Sequence, residues 1–289
     1  MKLESYVSMA GVGLVVILMI LAVHVEAQES VTLGGNTGAD FVAPTVFQAA
    51  GPTIASIEAT VTAYRNALGA PNGNVAQEVL TGGRREINWD GNPLTDATTP
   101  PVNPFNTFLN NRGAQFTTPG IGLSQAPPSG GQGGGLAQLF ANPGYATEFK
   151  AFSNARLFTP VGSNITDTFF FTAGSNGNER AVVTGFGVVF TDVDQPDGSG
   201  PGAKRGNRGS STLVQYFGAD GRLLYSSFAP ASPGNGGFSF LGIKFNDARI
   251  ASVRIIAGDV APGPNDEPAN DVVMMDDFIY GEPRKLPSN

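Results

Sequence analysis

The stretch DVVMMDDFIYGEP, Asp271 to Pro283, sets two carboxylates side by side inside a strand-like apolar run. Neighbouring side chains on an extended strand point to opposite faces. Val273, Met275, Asp277 and Ile279 then share one face; Val272, Met274, Asp276, Phe278 and Tyr280 share the other. Both faces are otherwise apolar, so the strand is expected to be covered on both sides or to sit near a sheet end. At least one carboxylate is then largely withdrawn from water. Such a group must be protonated, paired with Arg, hydrogen-bonded by backbone N–H groups or bound to a cation. Nearby segments add more acid. NDEPAND ends at Asp271, and TDVDQPDGSG holds Asp192, Asp194 and Asp197. Gathered carboxylates repel one another unless a cation sits among them, and an all-oxygen ligand set favours calcium. The Asp-x-Asp then Asp-Gly spacing resembles a calcium loop, with Asp197 one position later than the usual pattern. Asp-rich turns produce the same letters. Asp276, Asp277, Asp192, Asp194, Asp197 and Asp271 are therefore candidate ligands of a structural Ca2+. The competing expectation gives Asp276 and Asp277 an arginine, with Arg84, Arg85 and Arg254 in strand-like segments within reach.

A second kind of chemistry is sugar recognition, which uses exposed aromatic faces flanked by hydrogen-bonding groups. Trp89, the sole Trp, lies between Asn88 and Asp90, with Arg85 close by. These four form the candidate ligand site, against the alternative that Trp89 anchors the core. Tyr145, Tyr216 and Tyr225 are further aromatic candidates.

Composition narrows the chemistry. The 289 residues contain no Cys and a single His, with 41% apolar and 14% charged residues. MKLESYVS followed by the apolar run Met9 to Val23, then HVEAQ, reads as a secretory signal peptide over residues 1–27. An uncleaved membrane anchor is the rival, but the run is short for a span of about 20 residues. Removing residues 1–27 takes away His24 and leaves 16 basic against 22 acidic residues, a formal charge of −6. Without His or Cys, Ser-His-Asp and Cys-His catalysis are excluded, and zinc, copper and haem lose their usual ligands. No G-x-S-x-G, P-loop or G-x-G-x-x-G occurs. An acidic chain without a basic face argues against nucleic acid. The expectation is a non-enzyme, with carboxylate-only catalysis by acids such as Glu86, Asp90 or Asp192 as the exception.

The elements that must position these residues are mostly strands. Residues 28–50 read as a flexible lead-in. In 51–79, Ile54, Ile57, Val61, Tyr64 and Leu68 recur at helical spacing, with Thr53 able to cap the start and Gly69 and Pro71 able to end it. This helix is expected to cover one end of the main domain. From residue 80 the period changes to two, and TLVQYFGADGRLLYSSF reads as a hairpin around Asp-Gly. Gly-rich loops are expected at 126–135 and 195–211, and a short tail at 284–289. Lys204, Arg205 and Arg208 in the second loop read as a solvated insertion. Eight to ten strands over 80–283 predict an all-β antiparallel jelly-roll sandwich with an N-terminal helical extension.

The segments GFGVVFTDVD, GFSFLGIKF, RIASVRIIAG and DVVMMDDFIYGEP together resemble the closing strands of secreted bacterial jelly-roll proteins. GRREINWDG, NRGAQFTTPG and FSNARLFTPVGSNITDTFFF resemble one uncharacterised branch of that group. The resemblance spans about residues 50–283. The class is similar to carbohydrate-binding modules and galactose-binding-like domains, in which a last-strand aspartate often helps hold a structural calcium. That role would map onto Asp276 or Asp277. Many relatives end in a Pro-Glu-Pro sorting tail with a membrane helix. The sequence given stops at GEPRKLPSN, so the resemblance implies a secreted or periplasmic protein.

The leading functional expectation is a secreted, non-catalytic module binding an extracellular glycan or cell-surface polymer. A structural envelope or matrix protein is the second, and a carboxylate-based glycosidase or lyase the third.

Overall fold

The period-two segments become strands, and their burial patterns say how they stack. The structure, a computed structural model, describes residues 42–73, 76, 80–91, 100–130, 134–194, 210–232, 234–264 and 270–286. The described elements are β1 (Thr45–Gly51), α1 (Ile54–Leu68), β2 (Arg84–Ile87), α2 (Leu109–Arg112), β3 (Ala114–Thr117), β4 (Gly122–Ala126), α3 (Leu136–Leu139) and α4 (Tyr145–Glu148). They continue with β5 (Leu157–Val161), β6 (Ile165–Phe170), β7 (Ala181–Val182), β8 (Gly185–Thr191), β9 (Leu213–Phe217) and β10 (Leu223–Phe228). The last are β11 (Phe238–Lys244), β12 (Ser252–Ile256), β13 (Met274–Gly281) and β14 (Arg284–Lys285). The signal-like residues 1–27, most of the lead-in and most of the loop 195–211 lie outside the described residues.

Two antiparallel sheets form a sandwich. The larger runs β1-β11-β8-β13-β5-β4, with β2 also pairing β13; the smaller runs β10-β9-β12-β6-β3. Between them lies an aromatic core. Trp89, Phe116, Phe158, Phe170, Phe186, Phe278 and Tyr280 are buried within it. Strands β6 and β9 alternate between buried and half-exposed residues, so the smaller sheet shows one face to solvent. Strands β8 and β13 are buried at every position. Strand β11 is buried on both faces except at its last residue, Lys244. The larger sheet is therefore covered on its outer face too, which explains its continuous apolar runs.

Helix α1 supplies part of that cover. Ile57, Val61, Tyr64 and Leu68 pack on Val189, Phe238, Phe240 and Ile279. Burying four such side chains contributes roughly 1.5–3 kcal/mol each. The sheet makes room for the largest of them. Gly187 and Gly242 face each other on β8 and β11, and a Cβ on Gly187 would sit 2.7 Å from the Tyr64 ring. Tyr64 Oη donates to the Ile243 carbonyl at 3.1 Å. Helix α1 is thus a layer of the sandwich rather than an extension from it. Thr53 makes no side-chain bond to the helix backbone; Gly69, at φ 109°, ends the helix as expected.

The lead-in is shorter than the sequence suggested, because Thr45–Gly51 pairs in register with β11. Residues 149–156 form no strand. A second cover, with Leu136, Phe140, Tyr145 and Phe149 around α3 and α4, packs on Leu157, Val272 and Met274. At the chain's end, Arg284–Lys285 pairs with β7 rather than trailing as a tail.

Candidate functional site

Strand β13 does not keep its alternation. Met275 pairs with Phe190 and Phe278 with Val188, so Asp276 and Asp277 together oppose the single residue Val189. This is a β-bulge, which places one extra residue in a strand and breaks the period of two. Its consequence is visible in the packing. Val273, Met275, Phe278 and Tyr280 all point into the sandwich core, while Met274 and Ile279 belong to the outer covers. Both aspartates emerge on the outer face, in the seam between α1 and the segment after α4. The expectation that they occupy opposite faces is corrected by this two-for-one register.

Both are buried, Asp276 at 0% and Asp277 at 3% exposure, and each has its own compensation. Phe152 N donates to Asp276 Oδ2 at 2.6 Å, and Ser153 N to the same oxygen at 3.3 Å. Arg65 Nη2 on α1 donates to Asp277 Oδ2 at 2.8 Å and also reaches Glu86 Oε2 at 2.9 Å. The arginine partner is therefore Arg65. Of the three expected, Arg84 pairs with Glu86 and Arg85 with Glu282, while Arg254 pairs with Asp167. Arg65 was missed because its helix lies over the sheet and not at the domain's end.

The bulge also frees backbone groups. The far edge of β13 is shared, with Phe278 pairing Ile87 of β2 and Met275 pairing Phe158 of β5. Between those partners the Asp276 carbonyl accepts from Trp89 Nε1 at 2.8 Å. Trp89 has a φ of 63°. Its indole is 0% exposed and stacks on Phe158 at 3.7 Å between ring centroids. Trp89 is thus the core anchor, and with no face in solvent it offers no sugar platform in this conformation. Tyr145 and Tyr216 are likewise buried, and Tyr225 is half-buried. Arg85 is 1% exposed and engages Glu282 through two nitrogens at 2.6 and 2.8 Å. Asn88 is exposed. Asp90 joins the acidic seam: Arg156 N donates to Oδ1 at 2.9 Å, and Ser153 Oγ lies 3.2 Å from Oδ2.

Ser153 Oγ is also 3.0 Å from Asp276 Oδ1. One hydroxyl carries one proton, so Ser153 can fully satisfy only one of these two acids. Burial and the adjacent Asp277 charge push the Asp276 carboxyl well above its usual range. Burial also raises Asp277, opposed by Ser153 and the Arg65 charge, and burial raises Asp90. Chemically the seam can share protons between a half-buried and a fully buried acid.

The structure brings together a second set of the expected acids. Asp192, Asp194 and Asp271 are 4%, 1% and 2% exposed. Asp271 Oδ2 accepts from Asp194 N at 3.1 Å and from Ser211 Oγ. Gly236 N donates to Asp192 Oδ1 at 3.1 Å, and Gly234 N to Asp194 Oδ1 at 3.3 Å. Burial first, then the Asp271, Glu148 and Asp194 charges, raises Asp192 to about 8. Burial raises Asp271 to about 7, opposed by the Ser211 and Asp194 donors. These acids tie together the loop after β8, the loop before β11 and the entry to β13. Asp197 lies outside the described residues. Among the described residues no group of three or more acidic side chains has a metal-holding arrangement.

The bare face of the smaller sheet holds what sequence reasoning did not assemble. Cross-strand register aligns Thr117, Asp167, Arg254, Gln215 and Ser226 in one row over five strands. The next row is Gln115, Phe169, Ser252, Phe217 and Leu223. All ten are half-exposed or exposed. Arg254 grips Asp167 through two bonds of 2.7 and 2.8 Å. A separate cleft of ≈ 510 Å³ lies at one end, lined in part by Asp220, Asp247 and Arg249. No family model, no curated protein and no solved structure matches the chain.

Proposed function

We propose that this protein is a secreted, non-catalytic module that binds an extracellular glycan or cell-surface polymer through the bare face of its five-stranded sheet. The observation that carries the reading is the pair of side-chain rows on that face. An amide, a carboxylate–guanidinium pair and hydroxyls line one row; Phe169 and Phe217 flank Ser252 in the next. Sugars need both, since their hydroxyls take hydrogen bonds and their C–H faces lie on aromatic rings. Phe169 and Phe217 are two strands apart, roughly 9.6 Å at the usual strand spacing, a span suited to successive sugar rings. Among the described residues the other sheet has its outer face under α1, α3 and α4, while the smaller sheet keeps its two side-chain rows open to solvent. The resemblance to carbohydrate-binding modules and the signal-like residues 1–27 point the same way. Among the described residues no helix is long and apolar enough to cross a membrane.

The buried acids fit a structural role within this reading. They staple α1 and the loops to β13, on the side away from the proposed face. The test is electrophoresis of the purified protein through gels containing a broad panel of soluble polysaccharides, with pull-down on insoluble ones. Retardation by at least one polymer, lost in Phe217→Ala at unchanged melting temperature, is the expected result. Free migration across the whole panel, with self-association in the ultracentrifuge, would instead favour a structural envelope protein.

A further inference from the structure

We infer that the polymer taken by this face is an acidic polysaccharide whose uronate carboxylates are received by Arg180. The inference rests on the glycan-binding reading and specifies the ligand. Strand β6 carries Asp167 and Phe169 outward, and Phe171 follows in the same column, bridged to Arg180. The Arg180 guanidinium carbon lies 5.3 Å from the Phe169 ring centroid and 5.2 Å from that of Phe171. Arg180 itself is exposed, and among the described residues its side chain makes no ion pair. The two acids nearest in sequence and column are already committed. Glu179 takes Lys285 Nζ at 2.5 Å, and Asp167 gives both oxygens to Arg254.

The chain as a whole is acidic, with a formal charge of −7, so an unpaired cation fixed on an aromatic pair is a directed feature. Stacking on the rings holds the guanidinium plane while leaving its N–H edge open, and that edge matches a planar carboxylate in a two-bond fork. Phe169 serves both halves of the site. One part of its ring supports the guanidinium, and its exposed part lies in the row with Ser252 and Phe217, where a sugar ring would rest. A uronate carries the ring and the carboxylate on one residue, so it fills both positions at once. A phosphodiester can also take two N–H bonds from the guanidinium, but it carries its charge on the link between residues rather than on the sugar ring itself.

The test compares a polyuronate with its carboxyl-reduced neutral counterpart, by calorimetry on the full protein at low and moderate salt. Polyuronate is expected to bind roughly tenfold tighter than the reduced polymer, with affinity falling as salt rises. Arg180→Ala should remove that preference, bringing the two polymers to equal affinity; melting curves confirm that the variant is folded. Arg180→Lys should restore part of it. Equal affinity for the two polymers overturns the uronate assignment while the glycan reading stands. Tighter binding of a polyphosphodiester polymer than of polyuronate also overturns it. Binding of no polysaccharide at all overturns the glycan reading itself.

Discussion

Replacing Arg65 with Met should leave Asp277 buried without its cation. The Arg65–Asp277 contact is 2.8 Å, with side-chain exposures of 25% and 4%. Removing one partner of a fully buried pair costs about 3–5 kcal/mol. Solvent reaches Arg65, which weakens the pair, so about 2 kcal/mol at pH 7 is the expected loss. For a chain of this size that lowers the melting midpoint by roughly 4–8 °C. The sign of the pH dependence follows from Asp277's raised pKa. A carboxyl with a folded-state pKa above its unfolded value holds more protons when folded. Its contribution to stability therefore falls as pH climbs from about 4 toward the folded value. Without Arg65 that folded value rises further, so the loss in Arg65→Met should be smaller at pH 5 than at pH 7.5. Adding Asp277→Asn should recover about half of the loss or more, since a neutral amide needs no counter-charge. Differential scanning calorimetry of the single and double variants at both pH values decides it. An identical loss at pH 5 and pH 7.5, with no recovery in the double variant, would refute the reasoning.

Asp192, at about 8, and Asp271, at about 7, should make the wild type lose stability between pH 4 and pH 8. Asp192→Asn should flatten the upper part of that profile. Calcium bound among these acids would hold their protons off and remove the slope, so recording the profile with excess calcium separates the two; an unchanged slope is expected. Gly187→Val should drive a side chain into Tyr64 and destabilise by about 1–3 kcal/mol, read as an earlier denaturant midpoint. Trp89 emission should be blue-shifted, resistant to iodide quenching and silent to added polysaccharide; a quenchable indole would contradict its place in the core.

The strands were legible because alternation survives in ITDTFF, LVQYF and SVRII. The helix was legible from its Ile57-Val61-Tyr64-Leu68 stripe. Counting by twos failed at Asp276, where one added residue reverses every later side chain of β13, and no residue type announces a bulge. The acid density around 192–194 and 271 did foretell a cluster. Its donors did not show, because Gly234, Gly236 and Asp194 act through backbone N–H groups, as Phe152 and Ser153 do toward Asp276, and every residue but Pro possesses one. Trp89 went inward on a left-handed backbone that its neighbours do not signal. The rows on the bare sheet depend on strand order, and a linear sequence does not say that β12 lies between β6 and β9.

The most direct test is amide and methyl NMR of the isotopically labelled protein during titration with short oligomers of the retarding polysaccharide. The account predicts perturbations concentrated at Thr117, Asp167, Phe169, Gln215, Phe217, Ser252 and Arg254, with Asn88, Asp90, Asp276 and Asp277 unmoved. Shifts centred on Asp90, Ser153 and the paired aspartates, with the sheet face silent, would contradict it.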